Sequence, residues 1–152
     1  MTEELIKDIL RYIDDNLYES IKVETISNKY HFDRSYLSRS FKKITGISLI
    51  DYINERKIIK TIYDIINTDE KILKIALSHG YNSLEYFSET FYRVTNFSPT
   101  SLRSNEYVKD ILPFIEDKDL LNCLKFNHDK ILKIRTLDKP KSIVYGSYKK
   151  IS

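Results

Sequence analysis

The sequence predicts a mainly α-helical chain built around a duplicated helix-turn-helix, on three observations. Glycine and proline number only three each in 152 residues, apolar side chains recur at helical spacing from residue 5 to about residue 105, and one segment of that stretch is repeated. At 41% hydrophobic and 31% charged residues the chain has room for one or two small cores.

Leu5, Ile6, Ile9, Leu10, Ile13 and Leu17 form one face of a first amphipathic helix, with Lys7, Asp8, Arg11, Asp14 and Asp15 on the other. A short helix follows around Val23 to Tyr30. Asp33 can cap a helix whose apolar stripe is Leu37, Phe41 and Ile44 and which Gly46 ends. Ser48 can cap the next run, Leu49 to about Asn67, a helix about 28 Å long at 1.5 Å per residue. Its expected stripe is Ile50, Ile53, Ile58, Ile62 and Ile65 or Ile66. A short helix from about Lys71 to His79 and another starting after Asn82 or Ser83, carrying Phe87, Phe91 and Val94, complete the series.

Residues 36–48, YLSRSFKKITGIS, align on residues 86–98, YFSETFYRVTNFS, with five identities in thirteen: Tyr36/Tyr86, Ser38/Ser88, Phe41/Phe91, Thr45/Thr95 and Ser48/Ser98. Ile26 and Ser27 match Ile75 and Ala76 at an offset of 49, so the second turn is one residue longer, with Gly80 standing where the first copy has His31. Each copy is a short helix, a turn and a second helix, the outline of a helix-turn-helix. Two such readers on a stiff linker can enter successive major grooves of one duplex, roughly 34 Å apart.

Residues 5 to 105, two thirds of the chain, resemble the AraC/XylS family of bacterial transcription regulators. The segment ISNKYHFDRSYLSRSFKKITGISLIDYINERKI carries part of the resemblance. IALSHGYNSLEYFSETFYRVTNFSPTSLR carries the more specific part, with Ile75, Ala76, Gly80, Tyr81, Tyr86, Phe87, Phe91, Ser98, Pro99 and Arg103 at the positions of the family signature. The resemblance implies a seven-helix, bilobed DNA-binding domain that acts at promoters on double-stranded DNA and commonly contacts RNA polymerase. Asn96 replaces the glycine of the family pattern and Leu102 the aromatic before Arg103.

With Leu37, Phe41 and Ile44 inward, a helical wheel turns Ser35, Ser38, Arg39 and Lys42 outward as base-reading candidates. Arg39 can donate twice to guanine, while the serines are short, permissive readers. On the second helix Glu85, Ser88, Glu89 and Tyr92 face outward. Glu89 stands where the first copy has Arg39, and a carboxylate near phosphates is repelled unless it accepts from cytosine N4. Phosphate candidates are Arg34, Lys43, Arg56, Arg93 and the helix start at Ser48. The first helix-turn-helix is expected to dominate, because residues 34–60 carry seven basic and two acidic side chains, whereas residues 71–104 carry four and two.

Other chemistries find no support. His31, His79 and His128 are far apart, a single cysteine cannot pair within the chain, and no metal-ligand spacing, phosphate loop or nucleophile elbow occurs. No enzyme, cofactor, metal or membrane partner is therefore expected, and the acidic, mixed N-terminus points to the cytoplasm. A monomer on DNA is the simplest arrangement, with any small-molecule effector unassigned. The competing reading is a protein-interaction module of the same fold with DNA binding weak or lost. Residues 106–152 are expected as a separate C-terminal segment: a helix from Tyr107 to about Leu124 broken at Pro113, then two short strands, KILKIRTL and SIVYGSYK, like the opening of a truncated effector domain.

Overall fold

In the computed structural model, which describes residues 1–19 and 21–126, most helices begin where a short polar side chain takes up otherwise unpaired backbone N–H groups. Thr2 accepts from Leu5 N and opens α1 (Glu3–Asp15). After α2 (Val23–Tyr30), Asp33 accepts from the amides of Ser35 and Tyr36 and opens α3 (Arg34–Thr45). Ser48 accepts from Asp51 N at the start of α4 (Leu49–Asn67). The second copy runs through α5 (Ile72–Ser78) and α6 (Leu84–Thr95), the latter capped by Ser83. Ser98 and Ser101 form a reciprocal capping box on α7 (Pro99–Arg103), with Pro99 in the first turn. Beyond it lie α8 (Glu106–Ile111), a 3-10 turn at Leu112–Phe114 and α9 (Asp117–Phe126).

The described residues are helices and connections, as the periodicity requires, and the bounds of α2 and α4 coincide with those expected. The break expected at Pro113 is the 3-10 turn between α8 and α9. The two expected strands lie outside the described residues.

The described residues form two hydrophobic cores. The first gathers Ile6, Ile9, Ile13, Leu17, Val23, Ile26, Leu37 and Phe41 with Leu49 and Ile53 of α4. The second gathers Ile58, Ile59, Ile62 and Ile65 of the same helix with Ile75, Phe87, Phe91, Val94, Phe97 and Leu102. One unbroken helix thus supplies the floor of both. The second core runs on past residue 105, taking in Tyr107, Val108, Ile111, Leu112, Leu120 and Leu124, so α8 and α9 pack onto the second lobe.

Two apolar positions depart from the expected stripes. Ile50 is 54% exposed, and Leu49 is buried in its place, because the buried row at the start of α4 is the four-residue series Leu49, Ile53 and Lys57, and Ile50 lies on its other side. Ile44 is 44% exposed, while its counterpart Val94 is buried in a core that also contains Leu120 and Cys123 of α9. α9 packs against α6, and that cover gives Val94 an apolar neighbourhood.

Because α4 belongs to both cores, Ile62→Ala should cost about 2–5 kcal/mol, the usual range for truncating a fully buried isoleucine. Urea unfolding followed separately at tyrosines of the two lobes should show coincident transitions at a lower midpoint; separated transitions would mean that the lobes do not share their stability.

Candidate nucleic-acid interface

The two recognition helices, α3 and α6, are held by the same local chemistry, and the repeated residues supply it. Thr45 Oγ1 donates at 2.7 Å to the Phe41 carbonyl, and Thr95 Oγ1 at 2.8 Å to that of Phe91. Each threonine hydroxyl also accepts from the amide two residues on, Ile47 N or Phe97 N. Each helix then ends on a left-handed residue, Gly46 at φ 83° and Asn96 at φ 66°. Asparagine reaches that region at modest cost, so its replacement of glycine preserves the turn. Ser48 and Ser98 follow as caps of the next helices.

The turns before the recognition helices are also equivalent. His31 (φ 58°) and Gly80 (φ 86°) take the left-handed position, and the amides of Phe32 and Tyr81 return to the carbonyls of Ser27 and Ala76. Phe32 then packs on Tyr36 at 5.5 Å between ring centroids, and Tyr81 on Tyr86 at 6.0 Å. These contacts fix the angle at which each recognition helix leaves its turn, while Tyr36 and Tyr86 keep exposed edges.

On α3, Arg34, Ser35, Arg39, Lys42 and Lys43 are exposed and Ser38 is half-buried, so the outward face derived from the wheel is present as one surface. Asp33 holds its first turn to the cap. On α6, Glu85, Glu89, Tyr92 and Arg93 are exposed and Ser88 is half-buried. No ion pair neutralises Glu85 or Glu89 among the described residues, so this face presents two bare carboxylates beside Arg93. Ser48 offers a half-buried helix start.

Arg56 does not join this surface. Its Nε donates to Asp14 Oδ1 at 2.9 Å, its Nη2 lies 3.8 Å from Asp117 Oδ2, and its side chain is only 17% exposed. It ties α1 and α9 to α4. Arg103 is likewise internal, donating through Nε to the Ile65 carbonyl at 3.0 Å near the end of α4. Further ties join the lobes' connections: Tyr63 Oη donates to Asp117, and His79, buried 2.6 Å from Asp64, stacks on Tyr18 of the first lobe at 4.9 Å.

Lys57, which the sequence offered only as one charge in a basic block, is 8% exposed and in contact with the Tyr81 ring. Burial holds its pKa below the usual lysine value. The signal was available in the spacing: Leu49, Ile53, Lys57, Thr61 and Ile65 repeat every four residues and all are buried.

The chain matches the model of a helix-turn-helix domain over residues 26–105. It is similar to the transposon Tn10 TetD protein of Escherichia coli, with 33% identity over 67% of this chain and 74% of that protein. Similarity to a probable transcription factor, PqrA of Proteus vulgaris, is 32% over 72% of this chain and 92% of that one. Among solved structures, the C-terminal domain of AraT, a response regulator from Geobacillus stearothermophilus, superposes with a TM-score of 0.62 and 27% identity, over 65% of this chain and 83% of that domain.

Asp33→Ala removes the acceptor of two amides at the start of α3 and should lower stability by about 1 kcal/mol. A urea titration checks this, and an unchanged midpoint would mean that the cap contributes nothing.

Proposed function

We propose that this chain, which belongs to the AraC/XylS family of helix-turn-helix DNA-binding transcription regulators, reads an asymmetric bipartite site on double-stranded promoter DNA, with α3 as the dominant reader. The observation that carries the reading is the pair of recognition helices, each closed by a threonine bond and a left-handed residue, on one continuous helix buried in both cores. A linker about 28 Å long suits two major grooves on one side of a duplex.

In this reading Arg39 donates its planar pair of N–H groups to a guanine, Ser35, Ser38 and Lys42 read or tolerate its neighbours, and Arg34, Lys43 and the helix start at Ser48 hold phosphates. Glu85, Ser88 and Glu89 face the second groove, where a carboxylate can accept from cytosine N4 and otherwise repels the backbone. Arg93 is the phosphate contact of that half. Two readers on one chain need no dimer, so the protein acts as a monomer, in the cytoplasm, with RNA polymerase as its protein partner at the promoter.

Selection of bound sequences from a random duplex pool, followed by affinity titrations at several salt concentrations, tests this. Two short motifs about one helical turn apart are expected. A single motif would mean that α6 has stopped reading bases, and salt-insensitive or absent binding would favour an interaction module. On the selected duplex, Arg39→Ala should cost about 1–3 kcal/mol and relax preference at one position. Arg93→Ala should reduce the salt slope by about 1, whereas Arg56→Ala should leave the slope unchanged because its guanidinium is already engaged by Asp14 and Asp117.

A further inference from the structure

Between the two lobes lies a cleft of about 470 Å³, the size of an ordinary small-molecule site. Its walls come from the α1–α2 connection, the first half of α4 and the turn before α6. Ile21, Val23, Ile50 and Ile53 make one side apolar, Ile50 being exposed and the other three lying largely within the first core. Lys22, Arg34 and Lys57 line it, and among the described residues no carboxylate does. Lys57 is more than nine-tenths buried and has neither a hydrogen bond nor an ion pair with any described residue. Its stem is buried while its ammonium opens on the cleft, so the charge it presents there lacks a counter-charge and an anionic oxygen can pair with it.

We propose that this cleft binds a small organic anion, a carboxylate on an apolar body, with Lys57 receiving the carboxylate and the isoleucine wall receiving the body. A bare inorganic anion would leave the apolar wall uncovered. A phosphate of a rigid duplex would have to reach a lysine lying well below the exposed surface. The cleft also borders both recognition helices, since Arg34 opens α3 and Ser83 caps α6. An occupant therefore touches both helix starts and bears on duplex affinity, and this consequence rests on the DNA reading above, whereas the binding site does not.

Octanoate is a suitable probe, titrated into the full chain without DNA while backbone amide resonances are followed. Saturable shifts at Val23, Gly80 and Ser83 are expected, with octanol and inorganic phosphate failing to saturate them. Lys57→Met keeps the apolar stem and removes the charge, and should weaken octanoate at least about 10-fold. Ile50→Glu, at an exposed position that leaves both cores intact, should weaken it similarly by like-charge repulsion. Octanoate affinity in both variants unchanged from that of the parent chain, or phosphate binding as tightly as octanoate, would overturn the site. So would Lys57→Met weakening duplex binding in the absence of octanoate, because Lys57 would then serve the DNA backbone. If octanoate saturates these amides and leaves duplex affinity unchanged, the site stands and its control of DNA binding is overturned.

Discussion

The constraint on which everything else rests is that α4 is one helix buried in two places. Its first turns carry Leu49 and Ile53 into the core of the N-terminal lobe, and its later turns carry Ile58, Ile59, Ile62 and Ile65 into the second. A helix breaker between residues 53 and 58 would make the lobes independent; none is present. The separation of α3 and α6 is consequently set by helix geometry, about 1.5 Å per residue, and not by a flexible tether. Arg56 reinforces the setting from the outer side, gripping Asp14 of the first lobe and approaching Asp117 at the start of α9.

Much of this was legible in the sequence because its signals are local. Asp33, Ser48 and Ser83 cap helices through bonds spanning two or three residues, and Gly46, Asn96 and Gly80 mark left-handed turns. The repeat carried the same information twice, and its identities Thr45/Thr95 and Ser48/Ser98 prove to be the residues that close one helix and open the next. His31 is the case that the repeat exposes: it is a weaker signal of φ 58° than a glycine, but it stands where the second copy has Gly80.

What escaped the sequence depends on which element covers which face. Ile44 and Val94 occupy equivalent positions, yet only Val94 is buried, and the difference comes from α9, some thirty residues further on. Arg56 and Lys57 are adjacent and both cationic, so composition cannot separate them from Lys42 or Lys43. Their different fates follow from angle: Lys57 shares the inward face with Ile53, while Arg56, about 100° away, meets Asp14 and Asp117. The outward faces of α3 and α6 were readable because they need only the wheel.

The two lobes have been given unequal electrostatic tasks on equal scaffolds. Arg39 and Glu89 sit at matched positions of matched helices, both exposed, so the backbone presents them alike and only the charge differs. Non-specific attraction to a duplex grows with phosphates neutralised, and α6 presents Arg93 against two carboxylates, so in the proposed reading the second lobe adds little to general affinity. What Glu89 can add is discrimination, since a carboxylate that finds no amino donor on the base edge is left facing phosphate charge. In the proposed bipartite reading a rigid α4 makes that penalty effective: with a loose linker the second lobe could lift away from an unsuitable groove, whereas a helix shared by both cores obliges α6 to meet whatever sequence lies one turn from the site that α3 selects.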